Sequence, residues 1–293
     1  MVKKSDKMGI PDKGVFMDSM YRLHYQDGAT HMDNFPEELR EVVHEYWARF
    51  PPQHPLVGDM LGIAIFLLWC VSFCGNLCVI FIFLTEKSLR TPTNIFIVNL
   101  AFSDLCMITT QGLPCSINLF FGDHWMFGAL LCRVYACLGG IFGTGSLLTM
   151  VVIGFDRYNV ICKGYTRTKI TPLMAFILLL LIWLYCIAVC VPPFFGWGEY
   201  ALGKSEKLTH HFIKDLIQKL SEGLFITCSY DYLSEDWNRR SFMIYAFIGN
   251  YCIPMSITIY FYAQIVRAVV RHESNLRAQA KKMNIDSLRT NQV

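Results

Sequence analysis

The stretch Ile170–Gly198 reads ITPLMAFILLLLIWLYCIAVCVPPFFGWG and contains no Asp, Glu, Lys or Arg. A helix that crosses the hydrocarbon core of a bilayer needs roughly 20 predominantly apolar residues, and this stretch is long enough. A buried helix of a soluble protein is usually shorter than such an uncharged block. The stretch therefore predicts a membrane-spanning helix.

Four further stretches have the same character. Three of them contain no Asp, Glu, Lys or Arg: Met60–Thr85, Val134–Phe155 and Ser241–Val266. The fourth, residues 93–122, contains Asp104 as its only charged residue. Hydrophobic residues make up 54% of the chain and charged residues only 17%, which excludes an ordinary soluble domain. We predict an all-α membrane protein with five spans, at about residues 60–85, 93–120, 132–162, 170–197 and 241–270.

Basic residues in the short loops predict how the spans are oriented, because cytoplasmic loops are enriched in Lys and Arg. The loop after the first span has Lys87 and Arg90, and the loop after the third has Lys163, Arg167 and Lys169. Both loops are then cytoplasmic, and the N-terminus of this multi-pass membrane protein is extracellular. The net charge of +3 is explained by this topology, so it indicates no nucleic-acid partner.

The segments outside the spans divide into three parts. Residues 1–58 form a polar outer tail without the apolar core of a cleavable signal peptide. The long outer loop contains residues 201–221, where apolar side chains at helical spacing predict a short amphipathic helix. This helix lies on the membrane, packs on the bundle or has no function of its own. Residues 272–293 are basic and polar and extend the fifth span into the cytoplasm.

Polar residues within or beside the spans are candidates for function. Asp156-Arg157-Tyr158 ends the third span on the cytoplasmic side, where an acid beside an arginine can form a charge pair. Asn76 and Asp104 lie inside spans. An intramembrane carboxylate is costly and indicates a functional site or internal hydration, with a snorkelling or hydrated acid near a helix end as the alternative.

Small residues and cysteines mark the outer half of the third span and the loop before the fifth. Gly139, Gly140 and Gly143 let helix backbones approach closely or leave space for a ligand, and the residues alone leave both readings open. Cys132 and Cys228 face the oxidising outer side, where a disulfide and two unpaired thiols are the alternatives. No Cys-x-x-Cys motif or Cys/His cluster indicates a metal site.

These motifs together identify a family by resemblance. The chain resembles the rhodopsin-like G-protein-coupled receptors and, within them, the arthropod visual opsins of the rhabdomeric type. The matching landmarks are Gly75-Asn76, Asn99-Leu-Ala-Phe-Ser-Asp104, Cys132, Asp156-Arg157-Tyr158, Trp183, Phe195-Gly-Trp-Gly-Glu-Tyr200, Glu222-Gly223, Cys228-Ser-Tyr-Asp-Tyr232, Pro254 and Tyr262. Residues 59–271 then correspond to the first five helices of a seven-helix bundle, and residues 272–293 to the start of the third cytoplasmic loop.

The resemblance implies roles on the outer side. Cys132–Cys228 would be the disulfide that tethers the outer loop over a retinal site. Glu222 would be the counterion of a protonated Schiff base, with an exposed loop acid as the alternative. Tyr135 stands where vertebrate visual opsins hold their acidic counterion, which leaves Glu222 as the candidate. The positions that match retinal-facing sites of the family are Gly139, Gly140, Gly143 and Tyr251.

On the cytoplasmic side the resemblance implies a G-protein gate. Asp156 would hold Arg157 in the dark, beside Tyr158 and Tyr262. The expected partner is a heterotrimeric G protein of the phospholipase-coupling class, and the expected location is the plasma membrane of a photoreceptor. The protein would be a signalling receptor and not an enzyme. Association between copies of the receptor is a further expectation.

The resemblance stops before the sixth helix. We expect helices six and seven, with the family's Schiff-base lysine, to be missing, so that this chain alone forms no covalent pigment. Residues 201–221 are expected to be an insert in the outer loop. Two other functions are compatible with the residues: a non-signalling membrane partner of full-length opsin, and a rhodopsin-like receptor for a peptide or an amine. The loop pattern from Glu222 to Cys228 argues against the peptide or amine receptor.

Overall fold

The structure of the protein, a computed structural model, describes residues 55–121, 125–164, 170–202, 226–232, 234 and 236–282. The predicted outer tail up to residue 54, the amphipathic helix of the insert and Glu222 lie outside the described residues. The last residues of the predicted cytoplasmic loop, 283–293, lie outside them as well.

Five helices in the described residues are long and apolar enough to cross a membrane, so the predicted number of spans is confirmed. They are α1 (Pro55–Thr85), α2 (Asn94–Phe121), α3 (Gly128–Lys163), α4 (Pro172–Cys190) and α5 (Trp237–Lys281). Large apolar side chains on α1, such as Leu68 and Val71, are 65% and 73% exposed. Such side chains are placed to contact lipid, since a bilayer is as apolar as they are.

Two helix ends differ from the predicted bounds. The fourth helix ends at Cys190 rather than near residue 197, because the prolines of the 3-10 turn Pro192–Phe195 have no N–H group to continue the helical ladder. Gly196 closes that turn with a φ of 92°, a value that favours glycine. The fifth helix begins at Trp237, before the predicted residue 241, because the Asp236 side chain accepts a hydrogen bond from a backbone N–H of the first turn.

Two of the spans widen into a π-helical turn directly before a proline. The turn Ile108–Gly112 in α2 is followed by Pro114, and the turn Ile248–Cys252 in α5 is followed by Pro254. A proline ring clashes with the carbonyl four residues earlier and removes one backbone donor, and a wider turn relieves both defects. Each wider turn rotates the faces of the residues that follow it.

Helix α3 lies at the centre of the described bundle. It packs against α2, α4 and α5, whereas α1 packs on α2. Asn99 of α2 connects three helices, because its amide donates to the Thr149 hydroxyl of α3 at 2.9 Å and its oxygen accepts from the Trp183 indole of α4 at 3.1 Å. Such interhelical hydrogen bonds contribute about 0.6 kcal/mol each in a membrane protein.

A short hairpin covers the N-terminal end of α3, which the orientation predicted from the loop charges puts on the outer side. Strands β1 (Tyr200–Leu202) and β2 (Cys228–Tyr230) are antiparallel, and Tyr200 faces Tyr230 in the register. Ala201 and Leu202 pair with Ser229 and Cys228, so the first two residues of the predicted insert are part of the hairpin. The all-α class holds for the bundle, and the hairpin is a small addition to it.

Candidate functional site

Cys132 and Cys228 form a disulfide that joins the outer part of α3 to β2, with the two Cα atoms 5.4 Å apart. Both cysteines are buried, and they share one cluster of buried side chains with Trp125, Tyr135 and Tyr200. The disulfide therefore holds the hairpin against the outer end of α3. This is the pairing that the resemblance implied.

Two tyrosines of the hairpin pack against each other and reach the end of α4. The rings of Tyr200 and Tyr230 stack with their centroids 5.2 Å apart, and the Tyr200 hydroxyl donates to the backbone carbonyl of Cys190. Burial raises the pKa of both phenols above the ordinary value. Both side chains therefore stay neutral at physiological pH.

The three glycines proposed to face a ligand differ in how much room they leave. A Cβ atom at Gly140 would lie 2.6 Å from the Tyr230 hydroxyl oxygen, and one at Gly139 would lie 2.8 Å from the side-chain amide carbon of Gln111. At Gly143 the nearest atoms are those of Met107, at 3.8 Å. Gly139 and Gly140 are therefore closely packed in this structure, whereas Gly143 leaves space for an ordinary contact. A contact of any of the three with a ligand stays a prediction.

Alanine substitutions at Gly140 and Gly143 test whether the first position is closely packed and the second has free space. Gly140→Ala is expected to destabilise the protein by about 1–3 kcal/mol, because Tyr230 and Cys190 must both move to admit the methyl group. Gly143→Ala is the matched control and is expected to be neutral or stabilising, since alanine favours a helix over glycine by about 1 kcal/mol. Thermal unfolding in detergent measures both, and equal losses of stability would contradict this account.

Gln111 and Tyr135 join α2 to α3 through two reciprocal hydrogen bonds. The Gln111 amide donates to the backbone carbonyl of Tyr135 at 2.9 Å, and the Tyr135 hydroxyl donates to the backbone carbonyl of Gln111 at 3.3 Å. The Tyr135 ring also packs edge-on against Trp125, with centroids 4.9 Å apart. At the position that the resemblance matches to the acidic counterion of vertebrate visual opsins, this chain thus has a tyrosine that is hydrogen-bonded to α2.

Tyr251 lies on α5, in the π-helical turn Ile248–Cys252. Its side chain is 50% exposed, and its ring stacks on Phe247 with centroids 5.6 Å apart. The described helices therefore cover only half of the Tyr251 side chain. Its contact with a ligand, like the counterion role of Glu222, stays a prediction.

Charged residues form a cluster at the outer end of α5 that the sequence analysis missed. The Arg239 Nε lies 3.2 Å from Asp231 Oδ2 and donates to Glu199 Oε2 at 2.9 Å. The side chain of Asp231 is fully buried, and it also accepts from the backbone N–H and the hydroxyl of Ser234, at 3.2 and 2.7 Å. One guanidinium thus ties both flanks of the hairpin to α5.

The two intramembrane candidates have separate partners. Asp104 accepts a hydrogen bond from the Ser146 hydroxyl at 2.6 Å, so the carboxylate of α2 is turned toward α3. The Asn76 amide donates to the backbone carbonyl of Ser72 at 2.9 Å, within α1. The structure therefore assigns Asp104 to the contact of α2 with α3, and Asn76 to its own helix.

The gate candidates lie at the inner ends of α3 and α5. Asp156 is buried, and its Oδ2 is 3.9 Å from the Nε of Arg157, whose side chain is 45% exposed. The Tyr158 ring packs on Phe261 of α5 with centroids 5.5 Å apart, and the adjoining Tyr262 is half exposed. The structure thus brings all four candidates to one level of the bundle. The distance between the charged groups of Asp156 and Arg157 is long for an ion pair.

Comparison with known proteins identifies the family. A family model described as "7 transmembrane receptor (rhodopsin family)" matches residues 75–293. The chain belongs to the rhodopsin family of seven-transmembrane receptors. The receptor is 40% identical to compound eye opsin BCRH2 of Hemigrapsus sanguineus over 269 residues, which are 92% of the receptor chain and 66% of that opsin.

Other relatives agree with this assignment. The receptor is 39% identical to the lateral eye opsin of Limulus polyphemus over 267 residues, 91% of its own chain and 66% of that opsin. The crystal structure of squid rhodopsin superposes with a TM-score of 0.70 at 36% identity, covering 85% of the receptor and 66% of the rhodopsin chain. The resemblance to the arthropod opsins is confirmed. The receptor chain spans just under two thirds of the length of these relatives.

Proposed function

We propose that the receptor is an opsin, which in its full-length form binds retinal and signals on illumination to a heterotrimeric G protein in vision. The observation that carries this proposal is 40% identity to a compound eye opsin across 92% of the chain. The disulfide between α3 and the outer hairpin supports it, because it closes the outer side of the bundle. A receptor of this family transmits a signal, and we propose no enzymatic activity.

Two of the described residues support the proposed retinal site. Gly143 leaves room on α3, and Tyr251 offers a half-uncovered aromatic ring on α5. We propose that these two residues contact retinal, whereas Gly139 and Gly140 let Gln111 and the hairpin approach α3. Retinal would supply light absorption and a change of shape by isomerisation. The apolar parts of the five described spans contain no lysine, so no covalent bond from them to retinal is proposed.

A chimera tests the proposal. The chain 1–293 is joined to the C-terminal segment of the Hemigrapsus sanguineus opsin that follows the matched region, and the product is reconstituted with 11-cis-retinal. We expect a visible absorption band that changes on illumination and is lost when the seventh-helix lysine of the opsin segment is replaced. The intact opsin serves as the positive control. A chimera that reaches the cell surface with its disulfide formed but shows no band would refute the proposal.

Glu222 is proposed as the counterion in this pigment. It lies six residues before Cys228, so the disulfide keeps it within about 20 Å of α3 along the chain. In the chimera, Glu222→Gln is expected to lower the pKa of the retinal Schiff base by roughly 1–3 units, since a nearby anion favours the protonated form. A pH titration of the visible band measures this. Glu199→Gln, which removes a carboxylate paired with Arg239, is the control and should leave that pKa unchanged.

The inner ends of α3 and α5 are proposed as the G-protein gate, with a partner of the phospholipase-coupling class. The long pair between Asp156 and Arg157 is supporting evidence, because a partly exposed ion pair contributes little and can separate at small cost. Tyr158 follows Arg157 directly, and its ring packs on Phe261, the neighbour of Tyr262 in α5. A movement of α5 relative to α3 would therefore change the surroundings of Arg157. We place the receptor in the plasma membrane with its N-terminus outside.

A further inference from the structure

A polar cavity of about 350 Å³ lies between the end of α3 and the extension of α5. Tyr158 and Ile161 line it from α3, and Arg267, Arg271 and His272 line it from α5. The orientation proposed above places this cavity at the cytoplasmic surface of the membrane. It is separate from the outer site assigned to retinal.

One face of α5 changes character at the cavity. Residues spaced three and four apart lie on one side of a helix, and this face carries Ile253, Ile257 and Tyr260 toward the middle of the bilayer. These three side chains are 52%, 38% and 53% exposed. Arg267 and Arg271 continue the same face beyond them. An apolar, exposed stripe therefore leads directly into a cationic end.

Neither Arg267 nor Arg271 forms an ion pair with an acid in the part of the chain that the structure describes. The described residues that line the cavity include no Asp or Glu. Glu273, the nearest acid on α5, is 2.9 Å from Arg277, and Asp156 is paired with Arg157.

We propose that this cavity binds the phosphorylated headgroup of an anionic phospholipid of the inner leaflet, through Arg267 and Arg271, with an acyl chain along Ile257 and Tyr260. Guanidinium groups suit this ligand, because they donate paired hydrogen bonds to phosphate oxygens. Basic cavities between helices on the cytoplasmic side are known to take such headgroups. The apolar stripe favours a lipid over a free phosphate ester, which would use the cationic end alone.

The test uses the full 293-residue chain in nanodiscs of phosphatidylcholine doped with phosphatidylinositol bisphosphate, with bound lipid counted by native mass spectrometry. Each arginine is expected to contribute about fivefold to the affinity. The double variant Arg267→Gln, Arg271→Gln should therefore bind this lipid roughly 25-fold more weakly. The charge-matched control Arg277→Gln, Lys281→Gln lies further along the same helix and should change the affinity by less than about threefold, because the effect of a charge falls off with distance. A Cys132–Cys228 disulfide in both variants verifies folding.

Two results would overturn the proposal. Equal weakening by the two double variants would mean that the lipid senses only the total charge of the helix. Displacement of the lipid by soluble inositol trisphosphate at equal concentration would mean that the apolar stripe contributes nothing, and that the site takes phosphate esters in general. Neither measurement requires retinal or light, so the outcome is independent of the photoreceptor proposal.

Discussion

Cys132→Ser is expected to destabilise the receptor by about 4 kcal/mol and to keep most of the chain from the cell surface. The disulfide closes a chain segment with a sequence separation of 96, and such a long loop gains much conformational freedom when the bond is lost. The hairpin would also lose its covalent attachment to α3. Surface labelling of tagged protein and unfolding in detergent measure the two effects.

Cys74→Ser is the matched control for this substitution. Cys74 is an exposed free thiol on α1, and its replacement is expected to leave surface expression and unfolding unchanged. A Cys132→Ser variant with the surface level of the unmodified chain, and with the hairpin equally resistant to protease, would contradict the role given to the disulfide.

Arg239→Gln is expected to cost roughly 3 kcal/mol of stability, because it removes the guanidinium whose Nε lies 3.2 Å from the fully buried carboxylate of Asp231. The loss should be larger than for an ordinary surface pair. Arg277→Gln, which removes the exposed partner of Glu273, is the matched control on the same helix and is expected to cost less than about 0.5 kcal/mol. Denaturant or thermal unfolding in detergent compares the two.

A double-mutant cycle makes this prediction specific. Combining Arg239→Gln with Asp231→Asn removes the buried charge together with its partner, so the double variant should be more stable than the sum of the two single losses predicts. Strictly additive losses would show that the two residues act independently. The cluster would then have no part in holding the hairpin to α5.

The five spans could be predicted because a bilayer requires long uncharged segments, and Ile170–Gly198 or Met60–Thr85 show this in the sequence. The disulfide could be predicted only from the family resemblance, because the positions of the two cysteines were equally compatible with two unpaired thiols. The sequence also did not decide whether Gly139, Gly140 and Gly143 pack against neighbouring helices or leave space for a ligand. The structure adds that Gly140 is closely packed against the Tyr230 hydroxyl, which no local pattern in the sequence indicates.

Other features depend on contacts between distant parts of the chain. Arg239 meets Glu199 and Asp231 only after the hairpin folds against α5, so no local pattern marks the cluster. The hydrogen bonds of Asn99 to Thr149 and Trp183 connect three helices for the same reason. The prolines that follow the π-helical turns predict irregular helices at these places. A proline predicts a kink, however, without specifying the kind of turn.

The decisive experiment measures light-dependent nucleotide exchange on a phospholipase-coupling G protein by the chimera of chain 1–293 with the C-terminal segment of the compound eye opsin. We expect slow exchange in the dark and a rise on illumination only after retinal is added. The intact opsin, assayed in parallel, verifies the G protein. Exchange that is unaffected by light, in a chimera with its disulfide formed and retinal supplied, would contradict the conclusion that these five helices belong to a photoreceptor.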